Sequence, residues 1–249
     1  EETVDRRTEF LLERAYAKLP KDFMGLRRSL VNPVGGRRNG VIRTSEFYTN
    51  KIGCSDGNLS IQDWLTVPES YFFEATNGGI FFDNYGEFTE IRNKILQMPE
   101  DIRLKKLAGN LLLMAQSGQY NYSRCLSHGE TGSAQLAVIE FVNAAMRTVF
   151  LLNRKYMPYY KWSFRAMRDL ELFSTFSDSF EYLLTSENDS VTAEVKFGVI
   201  EDIASMIIGY LIENDMTKAI CSDLEKHAYS INDSITDPNI RNMNIFVAV

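Results

Sequence analysis

Two segments carry most of the side chains that could do chemistry. They are Arg103–Arg124, RLKKLAGNLLLMAQSGQYNYSR, and Leu151–Trp162, LLNRKYMPYYKW. Both set amides, guanidinium groups and tyrosines directly beside apolar helical runs. A surface that needs only solubility uses Lys and Glu, which are easily solvated. Gln116, Gln119, Tyr120, Asn121, Arg124, Asn153, Arg154, Tyr156, Tyr160 and Lys161 can instead converge on a polar ligand and hold it by directed hydrogen bonds. The same groups could equally satisfy one another between helices. A third set lies between the two segments. Glu140, Asn143, Arg147 and Arg154 follow helical steps and so share one face of the helix expected there. A carboxylate and two guanidinium groups in one row can pair with each other or grip a ligand.

Residues 21–43, KDFMGLRRSLVNPVGGRRNGVIR, offer a different chemistry. Lys21, Arg27, Arg28, Arg37, Arg38 and Arg43 oppose only Asp22, a local surplus of about five positive charges in an acidic chain. Gly35-Gly36 lets the backbone come close to a phosphate, with Arg37 and Arg38 beside it. Contact with a triphosphate and a solvated basic loop are both open, since no P-loop spacing is present. Nucleophilic catalysis finds no support: there is no GxSxG, no cysteine-protease signature, and neither His128 nor His227 sits in a recognisable setting. Arg124 and His128 lie too close in sequence for a ribonuclease-type pair.

The elements that must position these groups are mostly helices. The 249 residues, 45% hydrophobic and 24% charged, suit one large or two small globular domains. The net charge of −6 argues against general nucleic-acid binding. Three widely spaced cysteines and two histidines form neither a disulfide framework nor a metal-ligand pattern, so no metal ligand is assigned and a reducing cytoplasm is expected. No apolar run was counted that reaches the ~18 residues of a membrane span. Helices are expected at 87–97, 100–122, 131–156, 160–170, 176–186, 192–213 and 216–234. Short ones are expected over Ser45–Ile52 and Ile61–Leu65, the latter capped by Ser60. Helix 100–122 is apolar nearly all round and reads as the centre of a bundle. On helix 131–156 the stripe Leu136, Ile139, Met146 and Phe150 is expected in the core, as is Trp162 further on. Strand candidates lie at Gly40–Thr44 and within Thr76–Asp83. Helix 192–213 is apolar enough for the core or for a homodimer seam. The chain opens within a helical pattern and without methionine, so residues are expected ahead of Glu1.

The phrases LLERAYAKLPKDFMG, NPVGGRRNGVIRTSEFY, FFDNYGEFTEIR, MAQSGQYNYSRC and LLNRKYMPYYKW resemble bacterial nucleotidyltransferase-like proteins whose helical C-terminal part is a domain of unknown function. The resemblance implies a mainly α chain. It divides into an incomplete α/β nucleotidyltransferase-type segment over 1–66 and a helical bundle over 67–249. It further implies transfer of a nucleoside monophosphate from an NTP, a small-molecule nucleotide, to an unknown acceptor, with Mg2+ held by paired carboxylates. That family's Gly-Ser turn and Asp-x-Asp pair are missing: Gly132-Ser133 opens a helix, and no Asp-x-Asp occurs. The metal-binding portion is therefore expected upstream of Glu1. By analogy with related antibiotic-modifying enzymes, Glu140 is the candidate base. The competing expectation is a non-catalytic helical module, derived from such an enzyme, that binds a ligand or a partner.

Overall fold

The structure is a computed structural model and describes residues 4–27 and 40–249. Arg37 and Arg38, together with Gly35-Gly36, lie outside the described residues. The chain is mainly helical. It begins with α1 (Arg6–Lys18), capped by the Asp5 carboxylate, which accepts from the Thr8 N–H at 2.7 Å; α1 buries none of its own residues. A minimal hairpin follows, β1 (Asp22–Phe23) against β2 (Leu26–Arg27), antiparallel. Its two turn residues, Met24 and Gly25, both have positive φ, the geometry that matches the twist of a two-residue hairpin.

Next come α2 (Thr44–Ile52), α3 (Ile61–Thr66), α4 (Glu69–Thr76) and α5 (Glu87–Leu96). At α3 the Ser60 side chain accepts from the Asp63 N–H and the Asp63 carboxylate accepts from the Ser60 N–H, a reciprocal capping box. Both strand candidates are corrected. Gly40–Arg43 is irregular and runs into α2, and 77–83 forms no strand. Neither stretch meets a strand among the described residues to supply its missing hydrogen bonds. The loop around Ile80–Tyr85 instead projects its rings into solvent, anchored behind them by Asp83, which accepts from Gly86 and from Thr89.

The bundle is built around α6 (Glu100–Met114). Its axis continues through a π-helical turn, Ala115–Tyr122, into α7 (Ser123–Ser127). Beside it runs α8 (Thr131–Leu152), followed by α9 (Tyr160–Arg168), α10 (Phe176–Thr185), α11 (Ser190–Glu213), α12 (Leu224–Ser234) and α13 (Pro238–Arg241). The main core joins Leu107, Leu111, Phe141, Val149, Phe180, Ile200, Ile207 and Ile231 from α6, α8, α10, α11 and α12. A second apolar cluster links Tyr48, Trp64, Phe72 and Ile95 to Ile102, Tyr156 and Ile235. Within it Trp64, Phe72 and Tyr156 stack in a row with centroid spacings of 5.1 Å.

The core side of α8 differs from the expected stripe. Met146 and Phe150 are buried, but Leu136 and Ile139 are 68% and 39% exposed. The buried face runs instead through Ala134, Ala137, Val138, Phe141, Ala144 and Ala145. Small side chains let α8 approach its neighbours closely, so the alanine face went inward and the larger residues outward. Among the described residues α8 is long and apolar enough to cross a membrane by length and composition, contrary to the count made on the sequence. Yet 67% of its apolar window is buried inside the bundle.

Candidate functional site

Three separate depressions divide the expected site residues. The first is a cleft of about 600 Å³ where α4, α6, α8 and α9 meet. Its lining includes Glu69, Lys106, Asn110, Asn143, Arg147, Tyr159 and Tyr160, closed on one side by Val247–Val249. Each wall has a local cause. Pro68 starts α4 and brings Glu69 to the rim of its first turn. Lys106 and Asn110, one helical turn apart, interrupt the apolar face of α6. Asn143 and Arg147 repeat that spacing on α8. Pro158 ends the connection from α8, so that Tyr159 and Tyr160 face the opening with ring centroids 4.3 Å apart.

The charges in this cleft are unequally matched. Lys106 Nζ donates to Glu69 Oε1 at 2.6 Å in a pair that is almost entirely buried, and lies 5.7 Å from the Phe72 ring centroid. That pair cancels internally. Arg147 is half-buried and pairs with no carboxylate among the described residues, so it leaves the cleft one uncompensated positive charge. Asn143 is exposed at its edge. Glu140 follows one turn away in an adjoining groove of about 620 Å³, which it shares with Asn143, Arg147, Leu136 and Ile139. Glu140 and Arg147 do not pair with each other.

The second depression, about 550 Å³, lies over the π-helical turn. It gathers Gln116, Gln119, Tyr120 and Asn121 with Glu201, Asp223 and Glu225. Gln119 is already committed: its amide donates to Glu201 Oε2 and the Ser222 carbonyl, and its oxygen accepts from the Leu224 N–H, each at 3.0 Å. It ties the π turn to α11 and α12. Arg124 lies over the Tyr120 ring and donates to its hydroxyl at 2.6 Å.

The third depression, about 280 Å³, takes Arg103, Arg154, Lys155 and Tyr156. Arg154 lies beyond the end of α8 with φ of 53°, so it does not continue the Glu140–Asn143–Arg147 row as the helical spacing implied. It donates to Glu100 Oε2 at 2.9 Å. Tyr156 is buried and donates its hydroxyl to the Ile95 carbonyl. Burial pushes that hydroxyl's pKa far up, so it stays neutral. Asn153 is also committed, exchanging hydrogen bonds with Leu172. Lys161 is exposed outside all three depressions. Trp162, expected in the core, is 54% exposed with the Arg165 guanidinium over its ring. Of the expected binding residues, then, the cleft between α4, α6, α8 and α9 holds Asn143, Arg147 and Tyr160.

Glu100 provides a pH test of this corner. The hydrogen bond from Arg103 is the largest influence on its carboxyl and lowers its pKa below the ordinary 4.5; partial burial opposes this and Arg154 adds to the lowering. The stabilisation is present above pH 4.5 and is lost as pH falls through the lowered folded-state value. Glu100→Gln should therefore flatten the acid limb of a stability-against-pH profile measured by urea unfolding. An unchanged limb would show that the pair contributes nothing.

Sequence reasoning missed Glu69, Lys106, Asn110 and Tyr159. Lys106 and Asn110 are polar residues one turn apart on a helix expected to be apolar nearly all round, and nothing local marks them as facing a cavity. Among the described residues no group of three or more His, Cys, Asp or Glu side chains is placed to hold a metal ion.

Residues 64–163 match a family described as a domain of unknown function (DUF4037). No curated protein and no solved structure matches the chain. The matched stretch contains every lining residue of the cleft between α4, α6, α8 and α9 from Leu65 to Tyr160, and leaves out only the Val247–Val249 wall.

Proposed function

We propose that this chain is a nucleotide-binding helical module of the nucleotidyltransferase-like kind, and that the cleft between α4, α6, α8 and α9 takes a nucleoside triphosphate. One observation carries the reading. Arg147, a positive charge without a carboxylate partner among the described residues, shares a cleft of about 600 Å³ with a pair of accessible tyrosine rings. The volume falls within the ~300–1,000 Å³ usual for small-molecule sites. Arg147 suits a phosphate oxygen through its fixed fork of donors. Tyr159 and Tyr160 suit the flat face of a base.

In this reading Glu140, in the adjoining groove, is the carboxylate that would take a proton from an acceptor hydroxyl. The free thiols of Cys54, Cys125 and Cys221 suit a reducing compartment such as the cytoplasm. A non-catalytic binding module is the second reading, favoured by the missing carboxylate cluster; release of pyrophosphate from ATP separates the two. The binding claim itself is tested by calorimetric titration of the chain with ATP. Saturable one-site binding is expected, with inorganic triphosphate binding more weakly because it has no ring to stack. No heat with ATP would overturn the proposal.

A further inference from the structure

The floor of the cleft holds an acceptor with nothing to accept. Asn110 is 2% exposed. Its side-chain nitrogen donates to the Lys106 carbonyl at 2.8 Å, while its oxygen is buried and has no hydrogen-bond partner among the described residues. The orientation of the amide is not arbitrary. A carbonyl oxygen can only accept, so the nitrogen must face Lys106, and the oxygen is left facing away from the helix backbone. Leaving a buried acceptor unpaired is unfavourable, and few folded proteins keep one without a use. A Leu at this position would fill similar space without that cost.

The groups around Asn110 define what could complete it. Lys106 is taken up by Glu69, and Arg147, the other cation of the cleft, suits an anion. None of the lining side chains donates to Asn110 Oδ1. Asn110 lines the cleft, so the cleft's contents can supply the missing donor once its side chain turns toward them. A ligand that satisfies all three features carries an anionic group for Arg147, a flat ring for the tyrosines and an N–H for Asn110.

Resting on the nucleotide reading above, we propose that Asn110 is a specificity-determining residue. Its carbonyl accepts from the exocyclic amino group of the bound base, so that the cleft prefers an adenine nucleotide to the same nucleotide without its 6-amino group.

The test compares ATP with purine riboside triphosphate, which has hydrogen where ATP has the 6-amino group. With the unaltered chain, ATP should bind roughly tenfold more tightly, the effect of one hydrogen bond to a buried acceptor. In Asn110→Leu the two ligands should bind alike, with ATP weakened to the level of the analogue. The melting temperature of Asn110→Leu should hold or rise, because the substitution removes an unpaired buried oxygen. Equal binding of both ligands to the unaltered chain would overturn the role of Asn110 and leave the nucleotide reading standing. Binding of neither ligand would overturn both. A lowered melting temperature in Asn110→Leu, with the ATP preference kept, would show that Asn110 is structural. The ligand comparison needs no variant, so it remains decisive even if Asn110→Leu does not fold.

Discussion

Lys105→Met should lower the melting temperature by roughly 10 °C, from a loss of about 2–5 kcal/mol of stability. Lys105 has no exposed surface and no carboxylate partner. Its ammonium donates to Asn232 Oδ1 at 2.8 Å, to the Arg241 carbonyl at 3.1 Å and to the Met243 carbonyl at 2.6 Å. Burial lowers its pKa, as expected for a charge taken from water. An apolar replacement at a buried charge is well tolerated when the partners leave too. Here they stay. The Arg241 carbonyl keeps a bond from Asn232, but Asn232 Oδ1 and the Met243 carbonyl lose the donor that holds them. The consequence reaches the cleft, because Lys105 pins α12, α13 and the following segment to α6, and Val247–Val249 of that segment form a wall. Ligand binding should weaken along with stability. Thermal unfolding followed by circular dichroism gives the answer, and an unchanged midpoint would mean that these acceptors find other donors.

The second large effect is expected at Gly118, inside the π-helical turn. A Cβ there would lie 2.4 Å from Phe141 Cδ2 and 2.8 Å from Ile200 Cγ2. Both neighbours are fully buried, so neither can retreat into solvent. Gly118→Ala should destabilise by about 1–3 kcal/mol through overpacking, despite the better helical propensity of alanine. The cause is checkable by a double-mutant cycle. Phe141→Leu alone should destabilise, yet should recover part of the loss when combined with Gly118→Ala, because it removes the ring that the new methyl strikes. Additive losses would place the strain in the backbone of the π turn and not in the contact with Phe141.

These two positions also show where the sequence was legible and where it was not. Apolar periodicity located α5, α6, α8, α10 and α11 to within a few residues, because each has an inward stripe dense enough to outweigh its polar residues. Ser60 announced α3 as an N-cap, a signal that is entirely local. The π turn was not legible, since no local pattern marks it and the close fit of Gly118 against Phe141 of α8 and Ile200 of α11 exists only in the tertiary fold. The buried face of α8 departs from the expected stripe because close helix packing placed alanines inward. At the cleft, Asn143, Arg147 and Tyr160 could be picked out as polar groups beside apolar runs. Lys106 and Asn110 could not, because nothing local says that a polar residue on a core helix faces a cavity and not a partner. Val247–Val249 lies far along the chain, and only the tertiary fold brings it to that wall.

The central claim is that the cleft between α4, α6, α8 and α9 binds a nucleotide through Arg147. The most direct measurement is the ATP affinity of Arg147→Ala against that of Arg124→Ala, each beside the unaltered chain in calorimetry at fixed salt. Arg124 is the control: it is exposed, cationic and held on Tyr120 away from the cleft. The account predicts a loss of roughly tenfold or more for Arg147→Ala, the effect of removing a charge-assisted hydrogen bond, and no change for Arg124→Ala. Equal affinities for all three proteins, or a loss confined to Arg124→Ala, would contradict it.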